Sequence, residues 1–326
     1  MFKRLLIVGL LVLFAAGGWL AYFASSTLVL PQTPFSFELK SGSSLKAVAR
    51  QLESAGLLKE RWSFIVLVRA LGKASDLKAG NYLLEKNPTA LELFRMITKG
   101  DVRQSEIKFI EGWTFHQMRQ ALDENPSLTH ETAGLSDAEL LKRLGIAEQH
   151  PEGLFFPDTY YFSIGMSDTA VLRRSYALMQ THLARAWEAR APGLPYATPY
   201  EALIMASIVE KETGSAGERP QIAGVFLNRL RIGMRLQTDP TVIYGMGESY
   251  DGNIRKRDLL TDTPYNTYTR TGLPPTPIAM PGLGAIQAAV QPEKTAALYF
   301  VSKGDGTHQF SATLDQHNRA VARYQK

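Results

Sequence analysis

The chain has 326 residues, 45% of them apolar and 21% charged, which is enough for a sizeable core and about two domains. Its net charge of +5, from 36 Lys and Arg against 31 Asp and Glu, comes without a clustered basic stripe, so no nucleic acid partner is expected. The absence of cysteine excludes disulfides, cysteine nucleophiles and thiolate metal sites.

Lys3 and Arg4 precede an uncharged apolar run, Leu5 to Ala24, with Trp19, Tyr22 and Phe23 toward its far end. About twenty apolar residues match the hydrocarbon thickness, and the leading cations favour a cytoplasmic N-terminus. The run is long for the apolar stretch of a cleaved signal and is read as a transmembrane anchor over 5–24, with residues 1–4 cytoplasmic. Processing around Ala24-Ser25-Ser26 is the alternative, and either route exports everything after Ser26.

Residues 25–34, containing Pro31 and Pro34, read as a tether. Phe35 to Leu39 alternates like a strand, and a Ser41-Gly42-Ser43-Ser44 turn leads into a helix carrying Leu45, Val48, Ala49 and Leu52, stopped at Gly56. A second helix over 60–71, a strand over 79–84 and a helix opened by Thr89 and closed by Gly100 complete a small α+β module, residues 35–100. It resembles a LysM-like peptidoglycan-binding unit; a purely structural spacer is the competing reading.

The remainder, 101–326, reads as one larger mixed domain. A strand over 105–110 and helices over 114–122 and 136–144 are followed by the aromatic, Gly- and Pro-interrupted run Glu152 to Phe162, which is no single regular element. A long helix covers 167–190. Thr198 to Gly214 then predicts a buried helix ending in charge: Thr198 as N-cap, Pro199 first, Glu201 in a capping box, an uncharged stretch Ala202 to Val209, and Gly214 as left-handed terminator. Helices over 219–230, 239–244, 283–290 and 314–324, a Pro/Gly loop over 271–282, and a hairpin over 298–311 follow.

A carboxylate at the end of a buried helix sits against the negative end of the macrodipole and is desolvated, so its pKa rises toward that of a useful general acid. Periodicity does not choose between Glu210, aligned with Leu203, Ala206 and Ser207, and Glu212, aligned with Met205, Ile208 and Val209. Downstream, Gln237-Thr238-Asp239-Pro240 and Tyr265-Asn266-Thr267-Tyr268 supply the amides, hydroxyls and ring faces that suit a sugar. Gln237, Thr238, Tyr265 and Asn266 are therefore the candidate substrate contacts, and Asp239 reads as a helix cap. The six His are scattered without metal-ligand spacing, so no metal or cofactor is expected, and His308 and His317 read as surface or hairpin residues. Ser207 and Lys211 have dyad spacing but lack the companion motifs of Ser/Lys hydrolases.

The runs MASIVEKET, VFLNRLRIGMRLQTDPTVIYGMG, YNTYTRTGLPP and IAMPG, with EGLFFPDTYYF and a C-terminal YFV, HQF and HN pattern, closely resemble the endolytic murein transglycosylase family (MltG, YceG-like). The resemblance covers nearly the whole chain and implies a protein anchored in the inner membrane with a periplasmic lytic transglycosylase domain. Its substrate would be peptidoglycan glycan strands, with peptidoglycan synthases as candidate protein partners. In the wider set of lytic transglycosylases a helix-borne catalytic Glu is followed by Ser or Thr. Glu212-Thr213 fits that pattern and Glu210-Lys211 does not, so the resemblance assigns Glu212 as the catalytic acid. A non-catalytic wall-binding scaffold and a water-using muramidase remain the alternatives.

Overall fold

An uncharged run of this length can satisfy its backbone only within itself once it leaves water, and it folds as a single helix, α1 (Phe2–Ser25). Within α1, Leu6–Ser25 is long and apolar enough to cross a membrane. The computed structural model describes residues 2–40, 42–100 and 104–325 of a mixed α+β chain. Ser41 of the expected polar turn and the expected boundary between residues 100 and 101 lie outside or at the edge of the described residues, as do Met1 and Lys326.

The chain divides into two units, Met1–Glu106 with Tyr161–Met166, and Ile107–Tyr160 with Ser167–Lys326. The first contains α1, β1 (Phe35–Leu39), α2 (Leu45–Ser54), α3 (Trp62–Ala70), β2 (Gly80–Leu84) and α4 (Ala90–Lys99). β1 and β2 pair antiparallel with Phe37 opposite Tyr82, and these two rings stack with centroids 5.3 Å apart. Val48 and Leu52 of α2, Phe64 and Val68 of α3, and Leu93 and Ile97 of α4 close over them as one core. Thr89 accepts from the Glu92 amide at 3.1 Å while the Glu92 carboxylate accepts from the Thr89 amide at 2.7 Å, a complete capping box.

Residues 25–34 are more than a tether. Leu28 and Leu30 are buried in this core while Val29 between them is exposed, the alternation of an extended segment against a packed face. The Leu28 amide donates to Pro88 O at 2.8 Å, the Leu30 amide to Asn87 Oδ1 at 3.1 Å, and the Ala90 amide to Ser26 O at 3.2 Å. Leu20, Phe23 and Ala24 at the end of α1 pack against the same core. The composition rule that marks Pro-containing segments as linkers loses here to two alternating leucines.

β3 (Gln104–Lys108), β5 (Thr159–Ser163) and β6 (Met166–Ser167) each have residues in both units, and the second holds α5 (Phe115–Asp123), β4 (Leu128–Thr129), α6 (Asp137–Leu144) and α7 (Asp168–Glu188). α8 (Pro199–Glu212), α9 (Arg219–Arg231), α10 (Asp239–Met246), α11 (Lys256–Leu260), α12 (Leu283–Val290), the antiparallel hairpin β7 (Tyr299–Ser302) and β8 (His308–Ser311), and α13 (Leu314–Tyr324) follow. α8 is the centre, packed by α7, α9, α10 and α12. Capping boxes at Thr114, Ser136 and Thr313 fix the starts of α5, α6 and α13.

Because Leu30 is a core residue, Leu30→Ala should destabilise the first unit by about 2–5 kcal/mol, the range for a buried Leu truncated to Ala. Chemical denaturation of the full chain in detergent measures this, and a free tether would give no change.

Candidate active site

α8 begins where its sequence sets it: the Thr198 hydroxyl accepts from the Glu201 amide at 3.2 Å and Pro199 takes the first helical position. The Glu201 carboxylate completes the cap one residue early, on the Ala197 amide at 2.5 Å. Ala202 through Val209 are all buried. At the other end the expected left-handed glycine is not used. Thr213 leaves the helix in an extended conformation, φ −148° and ψ 135°, and its hydroxyl accepts from the Ser215 amide at 3.0 Å, so Gly214 has no left-handed turn to make.

The two carboxylates that periodicity could not separate have different surroundings. Glu210 lies 3.1 Å from the Arg219 guanidinium and accepts from the Gly282 amide at 2.9 Å. The glycine leaves room for a different carboxylate, that of Glu111, which a Cβ at this position would meet. Burial pushes the Glu210 carboxyl up, but the Gly282 amide and Arg219 oppose the shift and commit it to accepting two strong donors. Glu212 stays partly exposed and, among the described residues, receives only a hydroxyl, that of Thr238. Desolvation raises its carboxyl above the ordinary range; Thr238 opposes the rise, Asp239 adds to it, and His308 and Arg229 oppose it. A partly open carboxyl with a raised pKa, bonded to no cation among the described residues, has the features a general acid requires.

Of the candidate substrate contacts, Thr238 is brought directly to Glu212. Gln237, next in the chain, is exposed and has a positive φ of 51°, the one non-Gly residue so placed among those described. Its amide donates to Thr267 O at 3.1 Å, which ties the two polar segments together. Tyr265 is directed elsewhere: its hydroxyl meets Thr276 Oγ1 at 2.9 Å and its ring packs edge-on against Tyr244. Asn266 is buried, and its amide nitrogen donates to the carbonyls of Asp258, Leu259 and Thr261 at 3.2, 3.1 and 2.7 Å while its oxygen accepts from the Tyr268 amide. An amide that suits a sugar suits helix-end carbonyls equally, and here the carbonyls hold it. Asp239 is not a cap, since Thr238 occupies the N-cap position of α10 and the Asp239 carboxylate accepts from the Tyr268 hydroxyl at 2.5 Å.

Several neighbours of Glu212 carry no sequence signal of their own. Arg229 is buried, donating to Leu298 O at 2.7 Å and Leu236 O at 2.5 Å with its guanidinium over the Tyr299 ring, so its charge is held by carbonyls and a π-face. His308 is fixed by Glu218, which accepts from its backbone amide at 2.9 Å and from Nδ1 at 2.8 Å. It is thus a hairpin residue, as expected, and a paired one. Ser207 donates to Ile204 O and accepts from the Ile278 amide, whereas Lys211 reaches Gly112 O, so the two form no dyad. Among the described residues no group of three or more His, Asp or Glu is placed to hold a metal ion.

A second perturbed acid, Glu152, is enclosed. It is 5% exposed, accepts from the Phe115 amide at 3.0 Å and from the Tyr244 hydroxyl at 3.1 Å, and burial raises its pKa to about 7. A group this covered cannot meet a polymer, which distinguishes it from Glu212.

α8 is thus a buried helix that ends in two carboxyls with unlike surroundings. The chain belongs to the YceG-like family, which matches over residues 37–323. An endolytic murein transglycosylase of Bacillus subtilis (strain 168) is 32% identical over 315 residues, 90% of this chain and 85% of that protein. One of Streptococcus pneumoniae serotype 2 (strain D39) is 29% identical over 353 residues; the alignment takes in 96% of this chain and only 63% of that longer protein. A crystal structure of a yceG-like protein from Listeria monocytogenes superposes with a TM-score of 0.56 at 29% identity, covering 88% of this chain and 98% of the other.

Raised by burial from the ordinary 4.5 to about 7, the Glu152 carboxyl should hold its proton in the native state after the unfolded chain has lost it. Its contribution to stability is then fully present below about pH 4.5 and lost as pH rises toward 7, a change of about 3 kcal/mol. Denaturation of Glu152→Gln across that interval should show a flatter pH dependence than the parent.

Proposed function

We propose that this chain is an endolytic lytic transglycosylase that cleaves the MurNAc–GlcNAc bond within peptidoglycan strands, with Glu212 as its catalytic acid. The observation that carries the reading is the desolvated, cation-free carboxyl of Glu212 in a member of this family, met only by Thr238. Glu212 gives its proton to the glycosidic oxygen as the bond from MurNAc C1 breaks. The MurNAc C6 oxygen closes on C1, its proton passes to the Glu212 carboxylate, and the product ends in a 1,6-anhydro ring. No water is consumed and the acid is regenerated, so one carboxyl group serves both steps.

Gln237, exposed beside Thr238, is the proposed sugar contact at the acid, while Tyr265 and Asn266 shape the loops behind it. Asp239 next to Glu212 favours a second reading, hydrolysis by a water that it activates. Product mass separates the two, since the anhydro end is lighter by one water.

The order β1, α2, α3, β2 with its antiparallel pair supports a LysM-like role for the first unit in binding glycan. α1, with Lys3 and Arg4 ahead of its apolar stretch, supports an inner-membrane anchor with the remainder in the periplasm. Cutting nascent strands there would bring the protein beside peptidoglycan synthases, its candidate partners.

Glu212→Gln should lower turnover of purified glycan strands by about 10²–10⁴ while the thermal transition is retained. Loss of activity in Glu210→Gln with Glu212→Gln active would move the acid to Glu210. Thr238→Val removes the hydroxyl that stabilises the Glu212 carboxylate, so the acid should keep its proton to higher pH. The alkaline limb of the pH–rate profile should move upward; an unmoved limb would remove Glu212 from the rate-determining protonation.

A further inference from the structure

α3 is amphipathic. Phe64, Ile65, Leu67 and Val68 enter the core, yet the opposite face carries Trp62 at 59% exposure and Val66 at 43%, with Leu71 just beyond the helix at 43%. Four cations, Lys59, Arg61, Arg69 and Lys73, lie on or beside this helix. Arg61 and Lys73 are shared with Glu53 and Asp76, while Lys59 and Arg69 are exposed. The adjacent acid, Glu60, is used as a cap, its carboxylate accepting from the amides of Trp62 at 2.6 Å and Ser63 at 3.2 Å.

The location of this face is set by α1, which packs against both α3 and α4. Leu20, Phe23 and Ala24 at the end of the apolar stretch are already against the core of the unit, and the chain returns at once through Ser26, Leu28 and Leu30 into the same core. No slack separates the stretch from the unit. If α1 spans a membrane, α3 lies at the level where α1 leaves the hydrocarbon. Trp at that level puts its ring among the headgroups, Val and Leu enter the acyl boundary, and Lys and Arg stems reach back to lipid phosphates.

We propose that the outer face of α3, formed by Trp62, Val66 and Leu71 with Lys59 and Arg69, rests on an anionic lipid surface and fixes the first unit against the membrane. The inference depends on the reading of α1 as a membrane anchor. Its occupant is the lipid, because the face combines apolar residues with cations and is joined to the apolar stretch without a linker.

The test uses the full chain, in which the absence of cysteine lets one introduced thiol carry a spin label. Phe14→Cys, Trp62→Cys, Val66→Cys and Lys46→Cys are each reconstituted into vesicles of phosphatidylethanolamine and phosphatidylglycerol. Collision rates with oxygen, which concentrates in lipid, are compared with those of a water-soluble nickel chelate. Oxygen should exceed the chelate at 14, 62 and 66, and the chelate should exceed oxygen at 46 on the exposed side of α2. Chelate-dominated signals at 62 and 66 with a lipid-embedded 14 would overturn the docking and leave the anchor standing. A chelate-accessible 14 would overturn the anchor and the docking with it. Low collision with both probes at 62 and 66, with dipolar broadening, would put a second copy of the chain on this face instead. Val66→Cys is a mild change at an exposed site, so its result stands even if loss of Trp62 perturbs the unit.

Discussion

The enclosure of α8 on all sides is the constraint on which the second unit depends. Eight consecutive buried residues between Ala202 and Val209 require partners on every face, and α7, α9, α10 and α12 supply them. Those partners decide what happens to the charges that follow. α9 brings Arg219 to Glu210, and the Gly282 amide just before α12 adds a second donor, so that carboxylate is neutralised. The start of α10 brings only the Thr238 hydroxyl to Glu212. Two glutamates separated by one residue thus acquire different chemistry from which helix packs beside each.

Much of the architecture could be read locally. α4, α5, α6 and α13 fall where helices were expected, each fixed by a Ser or Thr with Glu or Gln three residues later. The failures have local causes as well. Gly214 looked like a terminator, but Thr213 ends the helix with its own hydroxyl, and Leu28 and Leu30 sat in a segment whose prolines suggested a linker. β4 and α11 are too short for periodicity to register.

The site was less legible, because its neighbours arrive from far along the chain. Glu212 and Thr238 were both named from motifs and their side chains meet in the fold, whereas Arg229 and His308 had no spacing relation to Glu212. Residue chemistry also misled where it was ambiguous. Asn266 is spent on three carbonyls, and Tyr268, not Tyr265, supplies the phenol that meets Asp239. Glu152 looked like part of an aromatic loop and is a buried acid whose partners, Phe115 and Tyr244, lie 37 and 92 residues away.

A group that must act first as acid and then as base needs surroundings that favour neither state outright. Desolvation alone would hold the Glu212 proton so firmly that the carboxylate, once formed, would be costly. Arg229 moderates this. Its guanidinium is buried near Glu212 but bonded to the carbonyls of Leu298 and Leu236, with Tyr299 beneath it, so no carboxylate cancels its charge. Its field therefore acts on Glu212 without a direct contact that would strip the proton, and His308, held by Glu218, acts in the same direction. Asp239 pushes the other way. Burial raises the Glu212 carboxyl and charge held at a remove tempers the rise, a balance that the proposed role of one carboxyl as acid and then base requires.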